Sequence, residues 1–349
     1  MMYTKPKQLK RGDTIGVVSP SWGGPATFPH IYENGLKALQ KLGFKIKEFS
    51  NTRADADVLW RNPKTRAKDL NAAFADPEVK GIITSIGGND SVRILPFLDK
   101  ELMQKNPKFF LGYSDTTTIH LLRSQLGLVT FYGPSVMAGL SQMESLPQEF
   151  EKHVREFLFE KFTNYEYHPY SSYCDGYSDW NNKENTGKIN TLKKADGWRW
   201  LQGKGVTQGE LAGGCLEVLE MVKATDFWPP KDFWQGKILI LETSETKSSL
   251  HVVDHVLRNY GAQGVYGKIA GLLFARARDY SDQEKKKLDE KILSIVAGEF
   301  GRSDLPIVSN MDFGHTDPQL VLPLGARADI NSDQQTFRLL ESPYAIRTL

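Results

Sequence analysis

The chain has 349 residues, 40% of them hydrophobic and 25% charged, the make-up of a folded globular protein long enough for two cores, so disorder as the main state is excluded. With 44 Lys and Arg against 42 Asp and Glu the formal net charge is +2, and no run of five like charges is present to grip a phosphate backbone, which argues against nucleic acid as the main partner. The two cysteines, Cys174 and Cys215, are too few for a disulfide framework and lack CxxC spacing, so they read as buried or idle thiols.

The opening MMYTKPKQLKRGDTIGVVSPSW has basic residues but no continuous apolar run or small-residue cleavage site, and no later stretch reaches bilayer-spanning length. The expectation is a cytoplasmic protein with no membrane partner. DTIGVVSPS (13–21) predicts a strand ending in a Ser-Pro-Ser turn, and residues 31–49 predict an amphipathic helix, a stop at Gly43 and a second strand. Residues 66–90 repeat helix, loop and strand, with GIITSI buried and Gly87-Gly88 turning the chain into the next helix. KFFLGYSDTTTIHLLRSQLG (108–127) predicts a strand followed abruptly by a helix, and the whole succession predicts βαβ units on a parallel sheet.

The rhythm breaks over about 163–209, a Tyr-, Ser-, Asn- and Trp-rich stretch read as structureless, either a functional loop or a linker. Apolar runs then resume at 209–222, 236–245, 267–277 and 305–315. Helices are expected over SSLHVVDHVLRNYG, capped by Gly261, and over SDQEKKKLDEKILSIVAGEFG, where Ser281 and Glu284 form a capping box. The fold class is therefore α/β: an N-terminal parallel-sheet domain (1–165), then a β-rich α/β C-terminal domain (166–349) with an aromatic insert at about 166–208, and the active site between them.

LGYSD (111–115) carries the sharpest chemical signal, because a strand turning at once into a helix through Gly-x-Ser is the geometry of a nucleophile elbow. Ser114 would stand on the turn, with the Asp115 N–H aimed at the same spot; Thr116 departs from the hydrolase pattern, and a Ser that merely caps the helix is the competing reading. Of seven histidines, His315 follows PIVSNMDF through Gly314 among Asn310, Asp312 and Asp317; it reads either as the base or as an exposed loop histidine. Glu242 ends the apolar KILILE strand, an expensive place for a charge without a partner, and fits the acid, with Asp312 and Asp317 as structural alternatives. The Gly87-Gly88 backbone is a second candidate oxyanion donor. His251 and His255 have the i, i+4 spacing of zinc ligands, but HVVDH lacks the Glu of HExxH, so no metal is assigned.

GDTIGVVSPS, SIGGNDS, GYSD, TFYGP, GELAGGCLEVL, ILILET and NMDFGHTDPQLVLPLGARADI occur in this order, and the chain resembles the LD-carboxypeptidase family of serine peptidases from end to end. The resemblance implies Ser114 as nucleophile, Glu242 as acid and His315 as base, with an oxyanion hole at Asp115 and Gly88, no cofactor, and a homodimer. It implies hydrolysis of an amide in a small peptide or aminoacyl-nucleotide conjugate. Two branches stand open: murein tetrapeptide LD-carboxypeptidases and microcin C self-immunity proteins, whose extended loop stacks a tryptophan on the nucleotide base. YSDWNNKEN offers Trp180 for that role, with Trp198 and Trp200 as additions to the wall, unless these residues simply pin the insert down. Lys247, close after Glu242, is a further substrate-binding candidate. A non-catalytic small-ligand binding protein using the same cleft is the rival from another class, and a metallohydrolase built on His251 and His255 is the third.

Overall fold

Short apolar runs separated by turn residues form the buried strands of two sheets, described by a computed structural model over residues 3–345. The first sheet has six strands in the spatial order Lys45–Glu48, Thr14–Val18, Val79–Thr84, Phe109–Gly112, Thr130–Tyr132 and Leu322–Leu324. Neighbours pair in parallel except the last, an antiparallel edge from far along the chain. The first sheet therefore draws on both ends of the sequence. Strand order reverses between Thr14–Val18 and Val79–Thr84, and ligands of open α/β sheets bind beyond the carboxyl ends of strands at such a point.

Helices cover this sheet because their apolar positions recur at helical spacing. In Pro29–Leu42, Ile31, Leu36, Leu39 and Leu42 are buried, Pro29 opens the helix where its missing N–H costs nothing, and Gly43 ends it. The second sheet has eight strands, in the order Tyr165–Tyr167, Thr336–Leu339, Arg327–Asn331, Val206–Cys215, Ile238–Glu242, Gly271–Ala275, Ile307–Met311 and Arg199–Gln202. Val206–Cys215, Ile238–Glu242, Gly271–Ala275 and Ile307–Met311 run parallel; the last three are buried throughout, and the near-continuous apolar runs ILILE and GLLFA suit strands covered on both faces.

Two expectations are corrected. The 163–209 segment is structured: it contributes both edge strands of the second sheet, and Ser172–Asp175 with Lys193–Lys194 joins Thr316–Asp317 in a small three-stranded sheet. These strands of two to four residues carry no periodic apolar pattern and are stabilised by tertiary contacts, such as Tyr167 stacked on Phe337 at 4.8 Å. Gly261 does not cap its helix, which runs Leu250–Ala262 with Gln263 as cap; a side chain at 261 would strike the Phe300 ring, so close packing explains this glycine. The Ser281–Glu284 capping box forms as expected at the head of Asp282–Leu293. No helix among the described residues is long and apolar enough to cross a membrane.

Candidate active site

The strand Phe109–Gly112 is buried throughout and breaks at Tyr113 into a single 3-10 turn, Ser114–Thr116, that runs into the helix Thr117–Gln125. Ser114 has φ +57°, a left-handed backbone that a non-glycine residue adopts only under constraint. Its N–H donates to Tyr132 Oη at 3.2 Å, and its Oγ lies 3.0 Å from His315 Nε2. The side chain makes no helix-capping bond, so the capping reading of Ser114 gives way.

His315 is 4% exposed, not the solvent-facing loop histidine of the competing reading. It is delivered by the turn after Ile307–Met311 and held by the pairing of Thr316–Asp317 with Ser172–Asp175. Nδ1–H donates to Glu242 Oε2 at 2.6 Å, which leaves Nε2 for Ser114. Glu242 is fully buried at the end of its strand and takes a second bond at 2.5 Å from the Tyr132 hydroxyl. Burial pushes its carboxyl above the usual range, opposed by the His315 charge and these hydrogen bonds. Tyr132 thus ties Glu242 to the backbone of the serine turn, a link between the two sheets that lies within TFYGP but has no local signature. The structural alternatives fall elsewhere: Asp312 pairs with Arg276 at 2.6 Å, both fully buried, and Asp317, pushed up to about 6 by burial against its Gln319 bond, lies beyond the histidine.

A second carboxylate reaches the histidine, one that sequence reasoning missed. Glu245 Oε2 lies 2.8 Å from His315 Nε2, on the same nitrogen that faces Ser114. Burial alone would lower the His315 pKa, but the Glu242 and Glu245 carboxylates outweigh it and raise it to about 10. Glu245 in turn is held at about 2, burial notwithstanding, by its bond to and charge interaction with His315.

These groups open into a cavity of about 640 Å³. One wall comes from the first sheet's strand ends, including Trp22 and Gly87–Asn89, and from Tyr177 and Trp180 of the insert; the other includes Glu217, Met221, Ser244–Thr246 and Arg278. Trp180 stacks on Tyr177 at 5.1 Å and meets Phe28 edge-on at 5.6 Å, forming a rigid aromatic face. Gly87 packs so closely that a Cβ there would lie 3.0 Å from Ser114 Oγ and 3.4 Å from the Asp115 nitrogen. Gly88 has φ +151°, and a Cβ would overlap Ser21 Oγ at 2.1 Å, so this turn requires glycine. The Asp115 side chain points away from the cavity and locks the turn, accepting from Ser21 Oγ at 2.5 Å and from the Asp90 and Ser91 N–H groups at 3.0 and 2.8 Å.

Lys247 does not line the cavity: it pairs with Glu284 at 3.3 Å, over the Tyr280 ring. Trp198 and Trp200 do not reach it either; Trp198 Nε1 donates to Asp312 Oδ2 at 2.7 Å and Trp200 sits in the edge strand opposite Val308, so both pin the insert. Arg278, which lines the cavity beside Tyr177, was not singled out by sequence because isolated arginines carry no pattern. His251 and His255 meet edge-on, ring centroids 4.1 Å apart, on an exposed helix face, and no group of three His, Cys, Asp or Glu suited to a metal occurs among the described residues.

Residues 15–133 match the LD-carboxypeptidase N-terminal domain and residues 208–330 the LD-carboxypeptidase C-terminal domain. The chain belongs to the LD-carboxypeptidase family. A Vibrio cholerae protein provisionally named a carboxypeptidase is 30% identical over 97% of this chain and 98% of its own. The microcin C7 self-immunity protein MccF of Escherichia coli is 26% identical over 95% of this chain and 94% of its own. A structure of MccF with aspartyl sulfamoyl adenosine superimposes with a TM-score of 0.86 at 26% identity, covering 98% of this chain and 100% of the other. An MccF-like protein from Streptococcus pneumoniae in complex with AMP gives a TM-score of 0.84 at 29% identity, covering 95% and 99%. The segment between the two family matches contains the insert with Trp180.

Proposed function

We propose that the chain is a metal-independent serine carboxypeptidase that hydrolyses the amide of an aminoacyl-nucleotide conjugate through Ser114, His315 and Glu242. The observation that carries this is one continuous line of contacts, Glu242 to His315 at 2.6 Å and His315 to Ser114 at 3.0 Å, ending on a left-handed turn at the cavity floor. His315, once neutral at Nε2, takes the Ser114 proton as Oγ attacks the carbonyl; the imidazolium then protonates the leaving nitrogen. Glu242 holds the ring orientation through Nδ1 and stabilises the cation. The Asp115 and Gly88 N–H groups receive the oxyanion, and water resolves the acyl-enzyme by the same proton path.

The nucleotide reading draws support from the rigid face of Trp180 and Tyr177, which offers a planar base a stacking surface, and from the nucleotide ligands of the MccF structures. The test is mass spectrometry of products after wild type and Ser114→Ala are incubated with aspartyl sulfamoyl adenosine and, separately, a murein tetrapeptide. Cleavage of the adenosine conjugate by wild type alone is expected. Cleavage of the tetrapeptide alone moves the protein to cell-wall peptide turnover, normal turnover by Ser114→Ala removes the triad, and retention of both compounds unchanged favours a binding protein.

A further inference from the structure

The cavity wall contributed by the second sheet carries two carboxylates, Glu217 and Glu245, beside the single guanidinium of Arg278. Glu217, in the first turn of Leu216–Val222, accepts from the Cys215 thiol at 3.3 Å, the Ser244 N–H at 3.0 Å and the Ser248 hydroxyl at 2.6 Å, all neutral donors. The thiol remains a donor because burial, with the Glu242 and Glu217 charges, drives its pKa far upward. Val218 and Met221 of the same helix line the cavity beside Glu217 and give it an apolar flank. An apolar flank ending in a carboxylate matches a methylene stem ending in a cation. Glu245 stands nearer the reaction centre, on His315 Nε2, where it keeps the imidazole protonated and so unable to accept from Ser114. Lys247, the lysine of this loop, is turned away onto Glu284.

We infer that the acyl subsite takes a basic aminoacyl group, its side-chain cation received by Glu217 and its α-ammonium by Glu245, whose transfer to substrate frees His315 Nε2 to act as base. This rests on the hydrolase reading above and names the acyl class within it. The α-ammonium lies one carbon from the scissile carbonyl, so a substrate placed on Ser114 brings it to the Glu245 end of the site. Binding and activation are then one event.

The experiment compares lysyl, norleucyl and aspartyl sulfamoyl adenosine, which share a leaving group, on wild type, Glu217→Gln and Glu245→Gln, each checked for folding by thermal melting. In wild type kcat/KM should favour lysyl over norleucyl by about fivefold, the upper size of a charge pair that solvent still reaches, with aspartyl lowest. Glu217→Gln should erase the lysyl advantage through KM with kcat nearly unchanged. Glu245→Gln should move the acid limb of the kcat/KM profile to lower pH, because of the groups facing His315, namely Glu242, Glu245, Asp317 and the Tyr113 ring, it removes one charge from Nε2 itself. Preference for the aspartyl compound, or an undiminished lysyl preference in Glu217→Gln, overturns the inference while leaving the hydrolase reading intact; an unmoved acid limb in Glu245→Gln overturns the role given to Glu245. If wild type cleaves none of the three, the hydrolase reading fails, and calorimetric binding of the same compounds decides the subsite by the same order.

Discussion

Ser114 occupies a conformation that costs a non-glycine residue about 1–2 kcal/mol, and the surrounding bonds from Tyr132 and His315 hold it there. Ser114→Ala and Ser114→Gly both lose the hydroxyl, so comparing them isolates the backbone. Glycine relieves the left-handed strain but widens the unfolded ensemble, leaving a net gain of about 0.5–1 kcal/mol for Ser114→Gly over Ser114→Ala. Urea midpoints measure this directly, and equal midpoints would mean that the turn stores no strain. His315 is the other residue whose setting differs from its isolated chemistry: two carboxylates reach it, Glu242 from a strand end at Nδ1 and Glu245 from the loop that follows at Nε2, so its proton affinity is set by the position of Glu245 as much as by Glu242.

At the scale of elements, the insert matters most. Its strands close both edges of the second sheet, and its tip brings Tyr177 and Trp180 onto the cavity. Loss of a stacking surface costs roughly 1–3 kcal/mol per base. Trp180→Ala should therefore raise KM for an adenosine conjugate by about tenfold or more with kcat little changed, while hydrolysis of a chromogenic substrate without a base stays at the wild-type rate. Equal losses on both substrates would assign Trp180 to packing the insert against Phe28 instead.

Across the whole molecule, several ties make the two sheets interdependent. Leu322–Leu324 completes the first sheet although Ile307–Met311 before it and Arg327–Asn331 after it belong to the second; Tyr132 from the first sheet binds Glu242 from the second; and the backbone N–H of Cys215 donates to Thr117 Oγ1 at 3.0 Å. One continuous hydrophobic core includes residues of both sheets, among them Ile15, Val17, Ile238 and Ile330. Thermal unfolding is expected as a single cooperative transition, coincident by tryptophan fluorescence and far-UV circular dichroism. Two resolved transitions would mean that the sheets unfold as separate units.

The parallel strands, the elbow at GYSD and the carboxylate closing ILILE were legible in the sequence because each is a local pattern: an apolar run, a strand-to-helix switch, a charge at the end of a buried segment. The candidate trio itself could be named because those local signals coincide with a family resemblance, yet no spacing along the chain states that residues 114, 242 and 315 meet. The structure brought them within hydrogen-bonding reach and turned Lys247, Trp198 and Trp200 away from the cavity. It also placed Glu217, Glu245 and Arg278 on the wall and made edge strands of a segment that reads as loop. The physical reason is one of range. Where backbone conformation follows from neighbours a few residues apart, the sequence by itself determined the buried parallel strands, the turn and the chemistry on offer; the edge strands of the insert and which side chains share a cavity depend on how the two sheets pack, and that only the tertiary structure decided.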